Sequence, residues 1–121
     1  LVLWNLTKQV VLAHQVRLAC TFKERFKGWM GKQKVKDGEA LLIYPCKAIH
    51  TWFLRFPLDI LFLSKEGEVL LALKDLPPFR FSPWVPSSQA VVELPAGRIL
   101  ATNTSVGDKL VLFGREKDHD L

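Results

Sequence analysis

The run "LDILFLSKEGEVLLAL", residues 58 to 73, constrains the fold more than any other part of the chain. Positions 60 to 63 are apolar without interruption, whereas a strand with one wet face alternates apolar and polar residues. Such a strand needs cover on both faces and is expected in the interior of a sheet. "KEG" then turns the chain into a second apolar stretch, and the pair is expected as an antiparallel hairpin. Pro57 marks the start, because proline has no amide to give to a ladder.

The other elements are read outward from this hairpin. Residues 1 to 20 alternate short apolar and polar pieces and read as one strand turning into a second. Thr21 and Glu24 fit a capping box ahead of "FKERFKGWM", where Phe22, Phe26, Trp29 and Met30 form one apolar stripe. A helix near residues 22–30 is therefore expected to pack through that stripe and to stop at Gly31. "LLIYPC" is a short strand, "AVVEL" another, "PAGRILATNT" a turn or short helix, "GD" a turn and "KLVLFG" the last strand. With four prolines in fourteen residues, "DLPPFRFSPWVPSS" can be neither central strand nor helix and is expected as an ordered surface loop. The sum is a mainly β (α+β) chain: a single-domain twisted or barrel-like sheet of about seven short strands with one packed helix. The domain is expected over residues 1–115, with a polar tail at 116–121.

A chain of 121 residues, 49% of them hydrophobic, suits one domain that buries about two thirds of its unfolded surface. No apolar stretch reaches the length of about eighteen residues that a membrane-spanning helix requires, so no membrane partner is expected. No signal-peptide pattern is visible, and Cys20 and Cys46 are too few for a disulfide scaffold; both are expected as reduced thiols in a cytoplasmic protein. The formal charge of +5 is concentrated: Lys23, Arg25, Lys27, Lys32, Lys34 and Lys36 face a single acid, Glu24, and the rest of the chain is balanced. Clustered positive charge draws anions. With Phe22, Phe26 and Trp29 assigned to packing, however, the segment is read as a solvated face rather than a nucleic-acid reader. "GWMGK" lacks the spacing of a phosphate loop, and no cofactor is expected.

Polar residues inside apolar stretches are the candidates for chemistry. In "HTWFLRFPLDILFL" these are His50, Thr51, Arg55 and Asp59. If "HTWFLRF" is a strand, Thr51 and Arg55 share one face and His50 lies on the other, so only a bend near Pro57 gathers them. We expect His50, Thr51 and Arg55 to border a shallow cleft, roofed by the proline-rich loop with Arg80 as a donor fork and Trp84 as an aromatic face. Asp59 is read as structural, accepting backbone amides or pairing with Arg55, and Glu93 as a buried acid paired with Arg80 or Arg98. Cys46 and His50 are competent zinc ligands, but four residues of strand span about 13 Å, while ligands lie about 2.0–2.3 Å from a zinc ion. No metal site is assigned.

The blocks "KERFKGWMGK", "EALLIYPCKAIHTWFLRFPLDILFLSKEGEV", "AVVELPAG" and "VGDKLVLF", in this order, resemble the prokaryotic family catalogued as domain of unknown function 192, over residues 8 to 113. The chain is similar to the branch that carries "PC..IHT..MRFP.D..FL", with Leu54 where that branch has methionine. The resemblance implies a small β-rich fold and brings no established activity, hence no catalytic residue. Three functions stay open at this point. One is a non-catalytic binding or accessory module for a small anionic or polyhydroxyl ligand. Another is an enzyme with His50 as acid or base oriented by Asp59. The third is an electrostatic binder of nucleic acid or acidic protein through residues 23–36.

Overall fold

The computed structural model describes residues 1–114, so the polar tail expected at 116–121 lies outside the described residues. In chain order the elements are β1 (Val2–Asn5), β2 (Val10–Ala13), β3 (Gln15–Ala19), α1 (Phe22–Lys27), β4 (Glu39–Ile43), β5 (Leu58–Leu63), β6 (Val69–Leu76), β7 (Ala90–Pro95), α2 (Arg98–Thr102) and β8 (Leu110–Phe113). They form a three-stranded sheet, β2-β1-β8, and a five-stranded sheet, β3-β4-β7-β5-β6. The fold is mainly β as expected, but the strands make two open sheets rather than one curling barrel. The extra strand lies at the start of the chain: β2 pairs with β1, while β3 leaves for the other sheet and runs parallel to β4. Among the described residues no helix is long and apolar enough to cross a membrane.

The uninterrupted apolar run has the cover it requires. Every residue of β5 is buried, as is every residue of its neighbour β7, and β5 and β6 form the expected hairpin. β7, rather than β5, occupies the middle of the sheet. Leu61, Leu63, Val92 and Leu94 pack with Leu3, Leu12 and Leu110 of the smaller sheet. On the opposite face Leu58, Ile60, Phe62 and Val91 pack with Trp29, Ile49 and Leu54, which come from irregular segments.

Two expectations change here. The capping box forms, with Thr21 Oγ1 accepting from the Glu24 amide and Glu24 Oε1 from the Thr21 amide, but the helix ends at Lys27. Gly28, at φ +49°, caps it three residues before Gly31. No residue of α1 is buried: Phe22 is 79% and Phe26 62% exposed, and of the stripe only Trp29 and, half-buried, Met30, both beyond the helix, reach the core. The face those rings were expected to cover is already closed by Trp29, Ile49 and Leu54. The second change is that "HTWFLRF" is not a strand. His50 makes a single bridge to Phe81, and residues 51–57 are irregular, with Phe53 at φ +68°.

Asp59 holds the end of the large sheet together. Its Oδ1 accepts the Asp75 amide at 2.8 Å, and its Oδ2 accepts the amides of Gly97 at 3.1 Å and Ile99 at 2.8 Å. The carboxylate thus ties the irregular pairing of β5 with β6 to the start of α2, and Arg55 plays no part. At the opposite end Asn5 and Lys8 donate to Asp108, and these hydrogen bonds outweigh burial to hold its carboxyl below the usual range. An amide offers one acceptor where Asp59 offers two charged ones, so Asp59→Asn is expected to cost about 2–3 kcal/mol and His50→Ala less than about 1 kcal/mol. Urea midpoints of the two variants check this, and equal midpoints would remove the clamp from Asp59.

Candidate functional site

The irregular cover on the α1 side of the large sheet leaves a cleft of about 480 Å³. One wall is α1 with its continuation to Met30, contributing Phe22, Arg25 and Phe26; the other is the segment from Pro45 to Leu54, including Cys46, His50 and Trp52. Trp84 of the proline-rich loop and Glu93 of β7 complete it. Glu93 reaches the cleft because of register: it stands opposite Leu41 on β4 and Ile60 on β5, both on the face that packs against Trp29. The end of α1 lies close by, since a Cβ on Gly28 would stand 4.0 Å from Glu93 Oε1.

Glu93 is 3% exposed, and among the described residues nothing donates a hydrogen bond to it. Its expected partners are engaged elsewhere. Arg98 donates to the carbonyls of Val11 and Leu12, and Arg80 is exposed and turned to the carbonyls of its own loop. Burial pushes the Glu93 carboxyl up to about 8, with only partial relief from the Arg17 charge. At neutral pH the group is therefore a neutral acid that can donate a hydrogen bond. Arg17 itself donates to the Gly28 carbonyl at 2.9 Å and lies 5.3 Å from the centre of the Trp29 ring, fixing the end of α1.

Three further buried nitrogens on residues of the cleft walls lack a partner among the described residues: Arg25 Nε, Trp29 Nε1 and His50 Nδ1. Buried polar atoms are nearly always satisfied, so three such atoms on residues of one cleft set it apart from the rest of the described surface. Arg25 spans the two walls by donating Nη1 to the Pro45 carbonyl at 2.9 Å. Lys47 is bound to the carbonyls of Pro86 and Ser88. Cys46 Sγ donates to the Ala48 carbonyl at 3.1 Å, and burial raises its thiol pKa, which favours the protonated thiol and slows its reaction at neutral pH.

The structure separates the residues singled out in the sequence. His50 and Trp84 line the cleft. Thr51, Arg55 and Arg80 do not; the concave surface expected to join His50, Thr51 and Arg55 is not formed. Thr51 is completely buried, its hydroxyl donating to the Pro77 carbonyl at 2.6 Å and accepting from the Arg80 amide at 3.0 Å, which pins the proline-rich loop to the body. Arg55 and Arg80 are exposed, with Arg80 Nη1 on the carbonyls of Pro78 and Phe79. Asp59 is saturated by backbone amides and forms no hydrogen bond with His50, so the acid–base pair is not assembled. Among the described residues no group of three or more His, Cys, Asp or Glu side chains gathers as a metal set. Phe22, Phe26, Arg25 and Trp29 went unrecognised as cleft residues. The available signal was Glu93, a lone acid in an otherwise apolar strand.

The model of the DUF192 family, described as an uncharacterized ACR, matches residues 4–112. The chain belongs to this family. It is 34% identical to the UPF0127 protein of Thermococcus sibiricus, over 88% of this chain and 71% of that one. It is equally 34% identical to the UPF0127 protein of Pyrococcus furiosus, over 88% of this chain and 93% of the relative. Two crystal structures share this fold at 22% identity. One is a protein of unknown function from Novosphingobium aromaticivorans, with a TM-score of 0.80 over 92% of this chain and 82% of the other. The second, a candidate transcription regulator from Sinorhizobium meliloti, has a TM-score of 0.74 over 91% and 89%.

Glu93 makes stability depend on pH. Its folded-state pKa is about 8, above the ordinary 4.5, so between these values the folded chain holds a proton that the unfolded chain has released. Stability therefore falls as pH rises through that window and levels off above it. Wild type is expected to lose on the order of 3 kcal/mol more than Glu93→Gln between about pH 5 and about pH 9, read from urea midpoints. Parallel losses in the two proteins would mean that Glu93 is ionised throughout.

Proposed function

We propose that the protein is a non-catalytic binding module whose cleft takes a small anion with an apolar or aromatic body. The observation that carries this reading is that three buried nitrogens without a partner among the described residues, Trp29 Nε1, Arg25 Nε and His50 Nδ1, stand with the buried Glu93 carboxyl on the walls of one aromatic cleft. The anionic head accepts from the neutral Glu93 acid and from the nitrogens of Arg25 and Trp29. The body lies on Phe22, Phe26 and Trp84, whose rings are 62–79% exposed. The basic excess from Lys23 to Lys36 runs through α1 into the loop that follows and favours an anion over a cation. The walls carry too few hydrogen-bonding groups for a polyhydroxyl ligand, which narrows the expectation from sequence to its anionic branch. A neutral Cys46 thiol and a His50 without a carboxylate partner support binding rather than turnover.

Naphthoate, naphthamide and naphthylmethylammonium, equal in body and different in head, separate the alternatives by calorimetry. Naphthoate is expected to bind at least about tenfold more tightly than the ammonium, a difference of about 1.4 kcal/mol. Its affinity falls as pH rises past about 8, because Glu93 then loses its donor hydrogen and repels the head. Saturating naphthoate should also slow alkylation of Cys46, which lines the cleft, while leaving exposed Cys20 unchanged. Tighter binding of the ammonium, or equal protection of both thiols, would overturn the proposal.

A further inference from the structure

Beside the cleft, two loops display exposed aromatic rings. Phe53 is 67% exposed, Phe79 55%, Phe81 73% and Trp52 37%. Trp52 stands edge-on to Phe79 at 5.1 Å and tilted to Phe81 at 6.0 Å, so rings from both loops form one cluster. Phe53 and Phe79 have φ +68° and +63°, a left-handed conformation that is strained for a bulky residue and costs of order 1 kcal/mol or more each. Buried Thr51 holds the loops in that shape. Its amide donates to the Arg80 carbonyl at 2.9 Å, its carbonyl accepts the Phe79 amide at 3.2 Å, and its hydroxyl bonds Pro77 and Arg80. Backbone strain that presents phenylalanine to water has no benefit for the isolated chain.

We propose that this aromatic face docks on the surface of an anionic lipid bilayer. It goes beyond the cleft, since Phe53, Phe79 and Phe81 do not line it. Residues 50–57 and 77–84 contain no acid, while Arg55 and Arg80 are exposed beside the rings. The side-chain hydroxyls there are spent internally: Thr51 as above, and Ser82 on the Pro83 carbonyl and the Ile49 amide. The face therefore offers protruding rings and cationic heads, with no acid and no free hydroxyl or carboxamide among them. That combination suits a bilayer interface, where phenylalanine sits below the phosphates, tryptophan at headgroup level and arginine on the phosphates.

Co-sedimentation with vesicles tests this, using phosphatidylcholine alone and an equal mixture of phosphatidylcholine and phosphatidylglycerol. Binding to the anionic vesicles is expected to exceed binding to the neutral ones by about tenfold or more, and to weaken between about 0.15 M and about 1 M salt. Tryptophan emission should shift to the blue as Trp52 leaves water. The double variant Phe53→Gly, Phe79→Gly relieves the left-handed strain, so it is expected to melt no lower than wild type while losing about tenfold or more in anionic-vesicle binding. Failure to bind either vesicle, or a glycine variant that binds as wild type does, would overturn the proposal. So would oligothymidylate that displaces the protein from vesicles and binds it with equal salt dependence, which would assign the face to single-stranded nucleic acid.

Discussion

Two neighbouring strands without a wet face, β5 and β7, impose the plan of the molecule. A sheet whose middle is apolar on both sides needs two layers of cover, and a short chain has limited material for them. One side receives a second sheet, built from the two ends of the described chain. The other receives no regular layer: Trp29, Ile49 and Leu54 from turns and loops close it locally, and α1 stands off with its rings in solvent. The cleft is what remains uncovered on that side, and it lies over the sheet position occupied by Glu93.

Polar residues buried in this apolar setting sort themselves by whether their hydrogen bonds are complete. Asp59 accepts three backbone amides, and Thr51 serves two loops at once. Both are saturated, so neither has capacity left for a ligand, and their loss would be felt as instability. Glu93 is as deeply placed and has no donor among the described residues. A buried carboxyl without a partner responds by holding its proton, which converts a costly charge into a neutral donor facing the cleft. The same desolvation that weakens the fold at high pH thus supplies the group with which an anion can be met.

Rigid loops on this side extend the same logic. The proline-rich segment lacks regular structure, yet it is tied down by Thr51, by the bridge between His50 and Phe81, and by Lys47 on the carbonyls of Pro86 and Ser88. His50 joins the two regions. Its ring meets Phe26 of α1 on one side and Phe81 on the other, each with centroids 6.4 Å apart. Cleft and aromatic face are therefore neighbours built on shared anchors, with Trp52 belonging to both.

What the sequence by itself determined follows from local rules. The unbroken apolar run 60–63 requires burial on both faces, "KEG" closes a hairpin, and Thr21 with Glu24 starts a helix; each is a matter of a few adjacent residues, and each is present. Asp59 belongs with these, since a carboxylate at the start of a strand meets the amides that the strand ends leave free. The cleft was decided by tertiary structure alone. Its donors come from α1, from the loop at 45–54 and from β7, and nothing local in "FKERFKGWM" distinguishes an apolar stripe that packs from one left standing beside an already covered sheet. Glu93 was visible as a charge in an apolar strand, but whether an arginine reaches it depends on where distant loops carry Arg80 and Arg98. Both guanidiniums are held by backbone carbonyls elsewhere, Arg98 firmly on β2 and Arg80 weakly on its own loop, and that long-range placement leaves the acid facing the cleft without a partner.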